Sequence, residues 1–152
     1  MKCSFLWFKY LHLIEPIYFL NNLFNSKTMK IATIIIRSLI GLLLLFASIS
    51  FFLQLFPEPP LTGNMKIFND GIKASGYLMP LVKAVELLCG LSFITGKFNK
   101  LTFIILMPIS INIICTHIFL APEGIPVASF LLLGNLFLIY TKWDSYKGLF
   151  TA

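Results

Sequence analysis

Charge is what this chain has least of. Only 12% of its 152 residues are Asp, Glu, Lys or Arg, against roughly a quarter in an ordinary soluble domain. Hydrophobic residues reach 58% and mean hydropathy is +0.89. A soluble chain this short cannot hide so much apolar surface, so lipid is the expected solvent for most of it. Cysteine is scarce as well. Cys3, Cys89 and Cys115 make an odd set with no CxxC pair, which excludes a disulfide framework and the paired thiols of a thiol-based quinone reductase. Cys89 and Cys115 fall inside apolar runs, where a free thiol packs as a small hydrophobe. The spans contain a single histidine, His117, and no Glu-x-x-His pattern, so neither haem nor di-iron ligation is expected and no metal site is assigned. Gly-x-Ser-x-Gly, the phosphate loop and the dinucleotide fingerprint are all missing, leaving no catalytic motif and no intrinsic redox centre or cofactor. The net charge of +6 lies in short lysine clusters between apolar runs. That is not a basic stripe interleaved with aromatics, so nucleic acid is not an expected partner.

What the sequence does have is four long apolar runs: Ile31–Leu55, Tyr77–Gly96, Leu101–Leu120 and Ile125–Thr141. Each approaches the roughly 20 residues a helix needs to cross about 30 Å of hydrocarbon. Helices are required because lipid offers no partner to a free backbone group. The expected fold is therefore all-α, an integral membrane four-helix bundle. Lys27 and Lys30 precede the first run, Lys97 and Lys100 separate the second from the third, and Lys142 and Lys147 follow the fourth. The opposite side carries Lys66 and Lys73, offset by Glu58, Asp70 and Glu123. The positive-inside rule then places both termini in the cytoplasm. Tyr77, Tyr140 and Trp143 fall at run ends, as an aromatic belt does. In the first outer loop, "PEPPLTG" reads as a rigid turn. Met65, Phe68 and Ile72 beyond it predict a short amphipathic helix, read either as a plain interfacial helix or as a lid over a cavity.

Residues 1–28 form a separate N-terminal extension, interfacial or dispensable, ahead of a membrane domain over residues 29–152. Lys9, His12, Glu15 and Pro16 interrupt its apolar character. A charge at a span centre costs about 2.5–3.5 kcal/mol, which argues against a fifth span. A second reading makes Met29, directly before a basic residue and a span, the native start and residues 1–28 dispensable.

Six polar side chains fall inside the spans: Arg37, Lys83, Glu86, Asn112, His117 and Asn135. Such groups are costly in lipid and face the bundle interior. At about 1.5 Å per residue, Glu86 lies about 15 Å from the inner end of its span, Asn112 about 16 Å into the third and Asn135 about 15 Å into the fourth. Arg37 starts about 9 Å into the first span, with a long side chain. Lys83 and Glu86, three apart, share a helix face that Gly90 continues. Arg37, Gly41 and Ser48 share another. If the two faces meet, Arg37 approaches Glu86 and helps to keep it charged. His117 lies about 140° around its helix from Asn112, so those two do not form one small site. Two readings stand side by side. Either the cluster ties helices together, or it receives a polar head group such as a quinone carbonyl, or relays a proton. Pro108 is expected to kink the third span beside Asn112.

The stretches "IIRSLIGLLLLFASISFF", "PLTG", "SGYLMPLVKAVELLCGLSFITGKFNKL", "PISINIICTHIFLAPEG" and "LIYTKWDSYKGLF" together resemble the DoxX family of small four-span bacterial membrane proteins, over about four-fifths of the chain. The Glu86–Gly90 pair and the "HIFLAP" ending carry most of that resemblance. It implies a bacterial inner-membrane location and an association with membrane redox systems. The expected function is an accessory, quinone-interacting subunit of such a system. It would have the bilayer and a redox protein as partners, quinone as the candidate cofactor, and electrons supplied by the partner. The alternatives are a small-solute transporter, which needs a continuous polar path, and a structural membrane protein without catalysis.

Overall fold

In a computed structural model, residues 27–57 and 60–149 are described. The expectations for residues 1–26 and for Glu58 and Pro59 of the first outer loop lie outside them. The chain divides into two compact units, Met1–Ile35 and Ile36–Ala152. In the first, the described residues form the opening turns of helix α1, where the Thr33 hydroxyl donates to the Met29 carbonyl at 2.8 Å.

The fold is the expected all-α membrane bundle. Among the described residues its long apolar helices number four: α1 (Lys27–Phe52), α3 (Leu78–Thr95), α4 (Asn99–Leu120) and α5 (Ile125–Tyr140). A shorter helix, α2 (Gly63–Ala74), occupies the loop after α1, and α6 (Trp143–Tyr146) follows α5. The 26 residues of α1, 18 of α3 and 22 of α4 are each long enough to span hydrocarbon.

Local signals explain where the helices stop. The Ser75 hydroxyl accepts the Leu78 N–H at 3.2 Å, satisfying one orphan donor at the start of α3. Gly96, at φ +76°, ends α3 in the left-handed conformation that a glycine adopts without a Cβ clash. One residue past α4, after Ala121, Pro122 opens a 3₁₀ turn, Pro122–Gly124, that leads into α5. Pro108 sits inside α4, yet the helix continues unbroken from Asn99 to Leu120. Hydroxyls within the spans turn back onto their own helices: Thr95 to Leu91 O, Ser110 to Met107 O and Thr116 to Asn112 O. That habit spares lipid an unpaired donor.

In the second unit the helices pack in the cyclic order α1–α3–α4–α5. Gly41 of α1 meets Gly90 of α3, and a Cβ on either would lie 3.1–3.3 Å from the other's carbonyl oxygen. This is the small-residue contact that lets two backbones approach inside a membrane. Phe93 and Phe103, fully buried with ring centroids 5.4 Å apart, join α3 to α4. The Asn135 amide of α5 donates to the Phe103 carbonyl of α4 at 3.0 Å. Gly134 of α5 accepts Ile40 of α1, whose Cδ1 would lie 2.7 Å from an added Cβ. Ile40, Leu44, Leu106 and Leu138 complete the core.

The outside of the bundle is apolar too. Leu42, Phe46, Leu88, Leu101, Phe119 and Leu133 are each more than half exposed. Water would not tolerate so large an apolar surface on a monomer, and lipid does. The chain is a multi-pass integral membrane protein.

Candidate functional site

The polar side chains of the spans settle into several places rather than one. The centre of α3 holds an ion pair, with Lys83 Nζ 2.7 Å from Glu86 Oε2. The spacing of three along one helix face makes the contact local. Glu86 is deeply buried, its side chain 3% exposed, whereas that of Lys83 is 19% exposed. The carboxylate is thus held mid-span by its own helix, and Cys89, also buried, lies one turn further along.

Arg37 does not join them. The expected meeting of the α1 and α3 faces does occur, at Gly41 and Gly90. The helices run antiparallel, so that contact sets the register. Arg37 lies four residues to one side of it and Glu86 four residues to the other, about 12 Å apart along the axis. The arginine side chain turns further away, and its guanidinium rests against Gly96, at the lysine-rich end of α3. It reaches for the interface instead of the midplane because a long cationic side chain near a span end gains hydration there. The Arg37–Glu86 pairing inferred from the shared faces is replaced by a Lys83–Glu86 pair and a separate Arg37.

The other three residues separate as well. Asn135 is fully buried and bonded to the α4 backbone at Phe103, about 6 Å from the start of α4. It therefore clamps α5 to α4 near the lysine-rich end, not at the level of Glu86. Asn112 lies on the exposed face of α4, so the convergence of three polar groups is not realised. His117 Nδ1 is 3.0 Å from the Ala121 carbonyl. A carbonyl only accepts, so the proton sits on Nδ1 and the ring caps the end of α4. Gly124 makes room for that ring, since a Cβ there would overlap the imidazole. Among the described residues no three His, Cys, Asp or Glu side chains gather into a metal donor set.

The space for a ligand lies elsewhere, at the opposite end of the bundle from Arg37. A cavity of about 890 Å³ opens between the end of α1, helix α2 and the start of α3. Phe51, Phe52, Phe56 and Met79 supply apolar walls, and Ser50, Gln54 and Asn69 supply polar ones. Helix α2 forms one wall through Met65, Asn69 and Ile72, which recur at spacings of four and three. The lid reading thus has a geometric basis, with one correction. Asn69, not Phe68, shares the inner face with Met65 and Ile72, and Phe68 and Ile67 remain exposed. No residue of α2 is buried, as fits a helix lying over a space. The Ser50 hydroxyl is shielded from solvent and has no hydrogen-bond partner, unlike the back-bonded hydroxyls of α4. Met79 and Pro80 line the cavity floor, one turn from Lys83 on the same helix.

The outer-loop helix was legible from its periodicity. The polar lining from Ser50 and Gln54 was not, because Ser50 lies in an otherwise apolar helix and Gln54 in the turn just past its end, where nothing marks them. No family model, no curated protein and no solved structure matches the chain.

Proposed function

We propose that this integral membrane protein is an accessory subunit that holds an amphiphile with a flat polar head, of the quinone type, in the cavity under α2. The carrying observation is the cavity itself. Its size and its mainly apolar, aromatic lining with a few polar groups are those of a small-molecule site. The unpartnered Ser50 hydroxyl adds a group that a ligand oxygen would satisfy. Gln54 and Asn69 supply further donors, and the phenylalanines supply faces on which a ring stacks. The cavity opens where a head group resides when its tail lies in the bilayer.

On this reading the protein binds and a partner redox protein supplies electrons, in keeping with the DoxX resemblance. The DoxX resemblance implies a bacterial inner-membrane location, and the lysine distribution supports both termini being cytoplasmic. A transporter is less well supported. Below the cavity the interior is closed by Ile40, Leu44, Phe93, Phe103 and Leu106, each at most 1% exposed, so no continuous polar path crosses the bundle.

The test is photo-crosslinking in lipid nanodiscs with an azido-quinone, followed by peptide mapping. Label is expected on residues 50–57 and 65–80. It should be outcompeted by unlabelled quinone and reduced in a Ser50→Val, Gln54→Leu variant. Label spread evenly over lipid-facing residues, or unaffected by the competitor, would refute the reading.

A further inference from the structure

We infer that the lysine-rich end of the bundle carries a site for the phosphate of an anionic phospholipid, built on Arg37. The argument begins with a cation that lacks an anion. Arg37 is half-buried beside Gly96. Its Nε is shielded and makes no hydrogen bond, and no carboxylate among the described residues pairs with it. A guanidinium carries five N–H donors in a rigid fork. Leaving the shielded Nε–H unused is costly, so an acceptor from outside the protein is called for.

The surroundings select a negative acceptor. Among the described residues at this end, Lys97, Lys100, Lys142 and Lys147 accompany Arg37. Among those described residues the lone carboxylate is Asp144, which Lys147 engages at 2.9 Å. Lys97 and Lys100 are exposed and flank the turn on which Arg37 lies. The same turn presents the start of α4, a 22-residue helix with no side-chain cap on its first N–H groups. That end of a helix carries partial positive charge.

Depth selects a lipid. Gly96 ends α3, so the guanidinium sits where an apolar span gives way to the interface. Phosphodiesters of the bilayer lie at that level, and basic recesses between membrane helices receive anionic head groups there. Two non-bridging oxygens match the guanidinium fork. Asn99 adds a second feature of head-group recognition. Its amide nitrogen donates to the Gly96 carbonyl at 2.9 Å, while its Oδ1 is buried and unpartnered. A head group bearing a hydroxyl beside its phosphate, as a glycerol head group does, would use both the cation and this acceptor.

The experiment is native mass spectrometry of protein released from nanodiscs of equal phosphatidylcholine and phosphatidylglycerol. Wild type is expected to keep the anionic lipid preferentially. Arg37→Gln should lower its retention roughly tenfold or more, as loss of a charge-assisted hydrogen bond implies. Arg37→Lys, which keeps the charge and loses the fork, should fall between the two. Helical circular dichroism of each variant establishes that it is folded, and Lys66→Gln, on α2 at the opposite end of the bundle, serves as a charge-matched comparison expected to retain the lipid. Equal retention by folded Arg37→Gln and wild type would overturn the site. So would a loss as large in Lys66→Gln, because the effect would then be diffuse charge. If inorganic phosphate displaced the lipid stoichiometrically, a soluble anion would take its place and the lipid assignment would fail.

Discussion

Replacing Lys83 and Glu86 singly and together tests the interior of the bundle most directly. Removing one partner of a buried ion pair costs about 3–5 kcal/mol, whereas replacing both by apolar residues of similar volume is often neutral or stabilising. The two single variants should differ, because the partners differ in their outlet. In Lys83→Met the stranded group is a carboxylate whose side chain is 3% exposed. It has almost no water to turn to, so a cost near the upper end, about 5 kcal/mol, is expected. In Glu86→Leu the stranded ammonium belongs to a side chain 19% exposed. It can extend toward the α3 end, so a cost of about 3 kcal/mol or less is expected. The double variant should lie within about 1 kcal/mol of wild type, giving non-additivity well above that of independent sites. Unfolding by graded replacement of mild detergent with dodecyl sulfate, followed by circular dichroism, gives all four stabilities. Additivity of the two changes within about 0.5 kcal/mol would refute the reasoning. So would a larger loss for Glu86→Leu than for Lys83→Met.

Gly90→Ala places a methyl 2.8 Å from Leu45 Cγ and 3.1 Å from the Gly41 carbonyl. Overpacking of about 1–3 kcal/mol, set against a helix-propensity gain of about 1 kcal/mol, predicts a net loss of up to about 2 kcal/mol in the same assay. Gly71→Ala in α2, where a Cβ meets nothing within 4 Å, should show the propensity gain alone. Tyr146→Phe deletes the 2.7 Å hydrogen bond to the Lys100 carbonyl and should cost about 1 kcal/mol at neutral pH. Burial pushes the Tyr146 phenol above its ordinary 10.0, so above that pH the unfolded chain loses its proton first. The folded state then holds more protons than the unfolded one, and stability falls as pH rises. That contribution is complete below about pH 10 and drains away as pH climbs through the raised value. Melting temperatures of wild type and Tyr146→Phe should therefore converge at high pH, and a constant gap would count against the bond.

Span positions were legible because a run of apolar residues has only one cheap conformation in lipid. The expected Ile125–Thr141 span and the observed helix Ile125–Tyr140 differ by a single residue. The approach of α1 to α3 was legible as well, since Gly41 and Gly90 advertise close packing on the faces that also carry Arg37 and Glu86. The partner of Glu86 was not. Sharing a face says nothing about axial register, and an offset of about 12 Å decides whether two groups touch. Arg37 also had the freedom of a long side chain, and its direction follows from where water is, which the residue pattern around it does not encode. Asn112 shows the same limit in rotation. Its depth was readable, but which side of α4 faces neighbours depends on packing that an all-round apolar helix conceals.

The link from Thr95 to Asn99 is only three residues, Gly96 to Phe98, with both end residues in left-handed backbone. So short a link ties the end of one span to the start of the next, making α3 and α4 an antiparallel helical hairpin with Lys97 in its tip. Its contacts are near in sequence, so of all the helix pairings in the bundle this one asks least of chain entropy when it closes.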